Sequence, residues 1–201
     1  RLVTTNLTIN DVRPHLKPLV DTLFKIVPAG VGCKGFVKVN HSQFDEVMVE
    51  GVQWCVDQGY GWKEDVLRCE GRGKLEGADP RHVSEKAKTR GINQLGTLGS
   101  GNHYLEIQHV KKENILDAEL AKQFGIFPDQ IVVMVHCGSR GFGHQNATDY
   151  LRVFYEAMPK YGITVNDAEL ACAPFTSQEG QDYFSAMACS ANMAFANRQV
   201  I

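Results

Sequence analysis

The run Ile131-Val132-Val133-Met134-Val135 leaves this chain few folds. Five consecutive apolar residues, three of them valine, have no polar face to turn toward water. The run therefore predicts a strand covered on both faces. A covered strand needs neighbours, hence a sheet with other elements packed on it. The run also delivers His136 into Cys137-Gly138-Ser139-Arg140-Gly141-Phe142-Gly143-His144-Gln145, a glycine-rich turn that carries an arginine. A second stretch echoes it. In Gln94-Leu95-Gly96-Thr97-Leu98-Gly99-Ser100-Gly101-Asn102-His103 three glycines lead into an Asn-His pair, and Tyr104-Leu105-Glu106-Ile107-Gln108 follows with apolar/polar alternation. That alternation predicts another strand at about residues 103–110.

Helical periodicity fills much of the rest. Val12, Leu16, Leu19, Val20, Leu23 and Phe24 share one helical face, with Asn10 as the expected cap and with Pro18 forcing a bend or a late start. Phe44, Val47, Met48, Val52 and Cys55 form a second stripe, opened by Ser42 with Asp45 and closed by Gly59. Asp79-Pro80 predicts a helix running to Arg90 and stopping at Gly91. Short helices are expected around Leu116–Phe124 and at 146–158, and Thr176 with Glu179 predicts the cap of a last helix. Helices and strands are mixed, with no internal repeat and no composition break. The expectation is an α+β chain forming a single mixed α/β body.

Bulk properties bound the function. Of 201 residues, 43% are hydrophobic and 22% charged, as in ordinary globular proteins. No apolar run reaches the ~18 residues of a membrane helix. The net charge of −2 argues against a broadly basic nucleic-acid surface, though not against a local one. The six cysteines include no Cys-x-x-Cys pair, so they read as reduced thiols of a cytoplasmic protein. The chain starts at Arg1 without methionine and stops at Ile201 inside a helical pattern. It is expected to be incomplete at both ends, with residues 1–201 the central part of a larger domain.

A histidine held at the edge of a strand can offer one ring nitrogen to a cation. His103 and His136 are both so placed; equally, each can be a satisfied core histidine, and His144 is a third candidate. On a strand, Asn102, Tyr104 and Glu106 would share one face while His103 and Leu105 point to the other. An amide beside a carboxylate suits a nucleotide or a metal-bound water. Ser139-Arg140 between glycines suits an anion, because the guanidinium fork matches phosphate oxygens. Arg81, Lys86, Lys88 and Arg90 make the densest positive cluster, either a solvated helix face or a phosphodiester contact. There is no Walker loop.

Taken together, Gln94-Leu-Gly-Thr-Leu-Gly-x-Gly-Asn102-His103-Tyr-x-Glu106-Ile-Gln108 and His136-x-Gly-Ser-Arg140-Gly-x-Gly-His144-Gln145 resemble the signature of the RtcB family of RNA-splicing ligases. Ala78-Asp-Pro80, Ala87-Lys-x-Arg90-Gly91, Glu179-Gly-Gln-Asp-Tyr183 and Asn192-x-x-x-x-Asn197-Arg198 extend the likeness along nearly the whole chain. The resemblance implies an RNA ligase that joins 2′,3′-cyclic-phosphate or 3′-phosphate ends to 5′-hydroxyl ends in tRNA splicing and RNA repair. It implies GTP as co-substrate, two Mn²⁺ ions, and histidine–GMP and RNA–GMP intermediates. It implies RNA partners (tRNA exon halves or broken RNA), accessory activation proteins, and no membrane. By the same resemblance His103 and His136 are metal ligands. The segment Asn102, His103, Tyr104, Leu105 and Glu106 contacts the guanine nucleotide. Arg140 and Arg90 grip RNA phosphate.

The chain departs from the family pattern. The Asp-x-Gly-Cys-Gly motif that supplies a bridging cysteine has no match, and Gly32-Cys33 lacks the aspartate. A further metal histidine and the guanylylated histidine are expected beyond Ile201, so no catalytic nucleophile is assigned here and the chain alone is expected to be inactive. The same residues also permit a metal-dependent phosphoesterase or a non-catalytic RNA- or nucleotide-binding piece.

Overall fold

A computed structural model describes residues 1–201. In chain order the elements are β1 (Leu2–Thr8), α1 (Ile9–Val12), α2 (Leu16–Ile26), α3 (His41–Glu50), α4 (Val52–Asp57), α5 (Lys63–Leu67), α6 (Glu85–Gly91), β2 (Tyr104–His109), α7 (Ala118–Gln123), β3 (Gln130–His136), α8 (Arg140–Ala157) and α9 (Gln178–Val200). The mixed α/β content matches the expected class. The elements gather into two compact units, each assembled from separate stretches: residues 1–31 with 98–137 and 201, and residues 32–97 with 138–200. Because the chain passes back and forth between them, no shift in composition along the sequence marks them. No helix is long and apolar enough to cross a membrane.

The first unit is built on a three-stranded antiparallel sheet of order β1-β3-β2. The apolar run lies in the central strand, as its covered character requires, with Ile131, Val132 and Val135 all at most 5% exposed. Gln130, buried at the head of β3, donates to the carbonyls of Thr5 and Gly125 at 2.8 and 2.9 Å, so its amide is not stranded. Leu105 and Ile107 point to one side of the sheet, where they line an apolar groove with Val20, Leu23 and Phe24 of α2, and with Val27, Ala29 and Leu98. The single helix expected from Asn10 begins instead as α1, where the Thr8 nitrogen donates to the Asp11 carboxylate at 2.8 Å. A 3-10 turn over Arg13–His15 follows, and α2 starts late. Pro18 is thereby the third residue of α2, where a helix has no acceptor for an N–H in any case.

The second unit is organised around α9, which packs on α3, α4 and α8. Ala186, Ala188, Cys189 and Ala196 are fully buried, and such small side chains let neighbouring helices approach. Phe44 of α3 and Phe142 of α8 meet edge to face with ring centroids 5.3 Å apart. Asn192 is fully buried, and it satisfies backbone groups of other segments: it accepts from Leu75 N at 2.6 Å and donates to Met48 O at 2.9 Å.

Several helix ends differ from expectation. The cap of α3 is Asn40 with Gln43, a reciprocal pair at 2.9 and 3.0 Å, not Ser42 with Asp45. Gly51, at φ 56°, divides the expected long helix into α3 and α4. Asp79-Pro80 opens only a 3-10 turn, and α6 starts afresh from the Ser84 cap. Ser177, not Thr176, accepts from Gly180 N at the start of α9. The largest difference is α8, which begins at Arg140 and so takes in the stretch expected to be a glycine-rich turn. Position 143 must be glycine even inside the helix, because a Cβ there would collide with Ser139 Oγ. The glycines serve close packing, which outweighs their poor helix propensity.

Candidate functional site

In the first unit, the register of β2 on β3 sets Tyr104 opposite His136, Glu106 opposite Met134 and Gln108 opposite Val132. These residues share the sheet face away from the α2 groove. The Tyr104 and His136 rings are 5.2 Å apart, and the Tyr104 hydroxyl donates to Met134 Sδ at 3.4 Å. His103 joins this group. Its ring centroid is 5.9 Å from that of His136, at an interplanar angle of 75°. Strand alternation from residue 103 would set His103 on the opposite side from Tyr104. It fails because β2 starts one residue later, and His103 belongs to the turn in which Gly101 takes φ 70°.

His103 Nδ1 lies 2.9 Å from the Ser100 carbonyl oxygen. A carbonyl only accepts, so Nδ1 carries the hydrogen of the neutral ring and Nε2 the lone pair. That is the tautomer a ligating imidazole needs, with its other nitrogen held by a backbone acceptor. The ring of His136 is exposed. No third His, Cys, Asp or Glu completes a group able to hold a cation. The pair therefore fits a metal as part of a ligand set. His144 is exposed on α8 and joins no such group.

Of the remaining segment, Asn102 and Glu106 are exposed, and the Glu106 carboxylate accepts from Gln108 Nε2 at 2.8 Å. Leu105 turns toward the α2 groove, so it offers only its main chain to the histidine face.

In the second unit, Arg140 is the first residue of α8 and takes φ 57°, a left-handed conformation costly for a side chain with a Cβ. Its Nε donates to Thr97 Oγ1 at 3.0 Å, and its Nη2 lies 3.6 Å from Cys33 Sγ. Thr97 is fully buried and its hydroxyl donates to Gln94 O at 2.7 Å, which leaves the oxygen lone pair aimed at the arginine. Behind it, the fully buried Asn197 accepts from the nitrogens of Gly96 and Thr97 at 2.8 and 3.0 Å. Its amide nitrogen donates to the carbonyls of Thr97 and Gly138 at 3.0 and 3.1 Å. One side chain thus ties the segment before Leu98 to the segment that starts α8. Gly141 N donates to Gln94 Oε1 at 2.9 Å, an approach a side chain at 141 would crowd.

The positive cluster does not form one stripe. Arg81 is clamped on Asp79, Nη2 to Oδ2 at 2.6 Å, and the guanidinium holds that carboxyl at about 2. Lys88 is buried and pairs with Asp45 at 2.8 Å. Lys86 and Arg90 are exposed, and Arg90 Nη1 donates to Gln145 Oε1 at 2.8 Å. A cavity of about 420 Å³ lies among Tyr150, Phe154, Ala171, Cys172, Phe175 and Tyr183 and includes none of the arginines. Its apolar, aromatic lining offers phosphate nothing. Tyr150 there donates to His82 O at 2.8 Å, and burial pushes its hydroxyl up to about 12.

Gln94, Thr97, Gln145 and Asn197 stand in the motifs with no role legible from the sequence. The signal that would have found them is a polar residue recurring among apolar neighbours, since a buried amide must be spending its bonds on something.

The profile of the family described as tRNA-splicing ligase RtcB matches residues 1–201, the whole chain. The chain is 59% identical to the tRNA-splicing ligase RtcB of Pyrococcus furiosus, covering 100% of this chain and 20% of that protein. It is 56% identical to the protein of the same description from Thermococcus kodakarensis, covering all of this chain and 41% of the relative. The Methanococcus maripaludis protein is 54% identical, with 42% of its length covered. The chain thus spans less than half the length of each of these relatives.

Proposed function

Because the chain belongs to the RtcB family, we propose that it forms the central part of an RNA ligase catalytic domain, acting in tRNA splicing and RNA repair in the cytoplasm. The ligase joins a 2′,3′-cyclic-phosphate or 3′-phosphate end to a 5′-hydroxyl end, with GTP as co-substrate. The observation that carries the chemistry is the His103–His136 pair, with His103 Nδ1 tied to Ser100 O. These residues would hold one side of a Mn²⁺ site, and the cation would stabilise charge building on phosphoryl oxygens. Two imidazoles alone would as readily hold zinc, so the choice of Mn²⁺ rests on the family and on harder donors joining the pair.

Each residue then has a task. His103 and His136 orient through one ring nitrogen each. Asn102 and Glu106, exposed beside them, present an amide and a carboxylate to the guanine nucleotide. Arg140 and Arg90 hold RNA phosphate, the first fixed by Thr97 and the second by Gln145. The 201-residue chain alone should not ligate, because two imidazoles without a third donor make an incomplete site.

The test is ligation by the protein that contains this chain, given Mn²⁺, GTP and RNA with cyclic-phosphate and 5′-hydroxyl ends. Joined product and a GMP adduct on histidine are expected, both lost in His103→Ala and His136→Ala. Phosphate release without any need for GTP would instead identify a phosphoesterase. RNA binding that survives both histidine substitutions, with no joined product from the unsubstituted protein, would identify a binding module.

A further inference from the structure

Arg90 is held by a chain of side chains that returns to its own helix. Arg90 Nη1 donates to Gln145 Oε1 at 2.8 Å, and Gln145 Nε2 donates to Asp149 Oδ1 at 2.7 Å. Ser84 Oγ donates to Asp149 Oδ2 at 2.6 Å and accepts from Ala87 N at 3.1 Å, as the cap of α6. Gln145 and Asp149 are one turn apart on α8, and Ser84 and Arg90 stand at the two ends of α6. Gln145 is only 2% exposed, whereas Arg90 is exposed.

The order of atoms along this chain is dictated. The Asp149 carboxylate accepts from both Ser84 and the NH2 group of Gln145, which turns the amide oxygen toward Arg90. The partner that orients the guanidinium is therefore neutral. A carboxylate at 145 would hold Arg90 equally well but cancel its charge, and would sit against Asp149. An amide fixes direction and leaves the full positive charge for a ligand. One of the five guanidinium hydrogens is used in this contact, and four are left. A side chain at 141 would lie 3.6 Å from Arg90 Nε, so Gly141 keeps that flank clear.

We propose that Gln145, itself set by Asp149, is a positioning residue that aims Arg90 at a phosphodiester oxygen of the RNA. The inference rests on the reading of Arg90 as an RNA contact. It gives the buried amide a reason to be an amide. It also makes the α6–α8 contact part of substrate recognition and not of packing alone.

A double-substitution cycle tests it, with the protein that contains this chain, single-stranded RNA ending in a 3′-phosphate, fluorescence anisotropy, and a melting temperature for each variant. Gln145→Met is expected to weaken binding about 3- to 10-fold, the scale of one oriented charged hydrogen bond. In the Arg90→Ala background it should weaken binding no further. If the two effects multiply instead, Gln145 acts on something other than Arg90 and the inference is overturned. Gln145→Glu is the second variant, against the event that methionine unfolds the helix contact. It keeps the shape and the acceptor but adds a cancelling charge, and its affinity should fall to that of Arg90→Ala. Unchanged affinity in Gln145→Glu overturns the inference. If Arg90→Ala itself binds RNA as well as the parent, the phosphate reading of Arg90 fails, and this inference fails with it.

Discussion

Arg140 Nε donates to the buried Thr97 Oγ1 at 3.0 Å while the Arg140 backbone is held at φ 57°. A left-handed residue with a Cβ is destabilised by about 1 kcal/mol or more, and surrounding structure must enforce it. Here Thr97 supplies the acceptor, and Asn197 fixes both Thr97 and Gly138. The strain sits at the residue proposed to hold phosphate, where conformation matters more than stability.

The strain is measurable as the difference between two substitutions. Arg140→Gly and Arg140→Ala both remove the guanidinium, and only glycine accepts φ 57° freely. Glycine should be the more stable of the two by about 1 kcal/mol in urea unfolding. Both should weaken RNA binding to the same extent. Equal stabilities would mean that the backbone relaxes when the guanidinium is gone.

Asn197 makes at least four hydrogen bonds from a fully buried site. Asn197→Leu keeps the branched outline but is larger, and it strands two N–H groups and two carbonyls. Each stranded group costs about 1–3 kcal/mol before relaxation. The variant should lose at least about 3 kcal/mol of unfolding free energy, or fail to fold. A loss under about 1 kcal/mol would show that water or rearrangement takes over the bonds.

Gly91 ends α6 against α8. A Cβ there would lie 2.7 Å from Phe142 Cβ and 2.9 Å from Phe44 Cζ. Gly91→Ala should therefore destabilise by about 1–3 kcal/mol, the usual cost of overpacking, although alanine is the better helix former. It should also weaken RNA binding by shifting Arg90. A stabilised variant would mean that the two rings yield easily.

Glu179 accepts from the Tyr161 hydroxyl at 2.6 Å and from Lys160 Nζ at 3.2 Å. Chiefly through the tyrosine, its carboxyl is held down at about 2, below the ordinary 4.5. The unfolded chain then takes up its proton first as pH falls. The stabilisation is complete above about 4.5 and drains away toward 2. Tyr161→Phe removes the main cause. The stability gap between parent and variant should be open at pH 6 and shrink steadily on acidification. A gap independent of pH would assign the bond no role in this linkage.

Helix and strand periods were legible wherever one face of an element is buried. The β3 run, the β2 alternation and the α3 stripe follow from residue pattern, because period 2 and period 3.6 are local properties. The helix ends were read less well. Asn40 and Ser42 are both good caps, and choosing between them depends on which side chain finds the free N–H. The start of α8 was hidden for a different reason. Glycines at 141 and 143 oppose a helix locally, and only contact with Gln94, Ser139 and Ser190 accounts for them.

The candidate site divides along the same line. Its residue types and its family were readable in the linear order of the motifs, since spacing and chemistry are carried by the chain itself. Which groups meet was not. His103 and His136 are 33 positions apart, yet they pair because the β2–β3 register brings Tyr104 opposite His136 and a turn swings His103 over the strand end. Lys88 and Arg90, neighbours in the same basic cluster, part company because α6 buries one face and exposes the other. Composition and local period are sums over nearby residues. A ligand pair, a strained arginine and a relay through Gln145 depend on contacts between distant ones, and those exist only once the chain has packed.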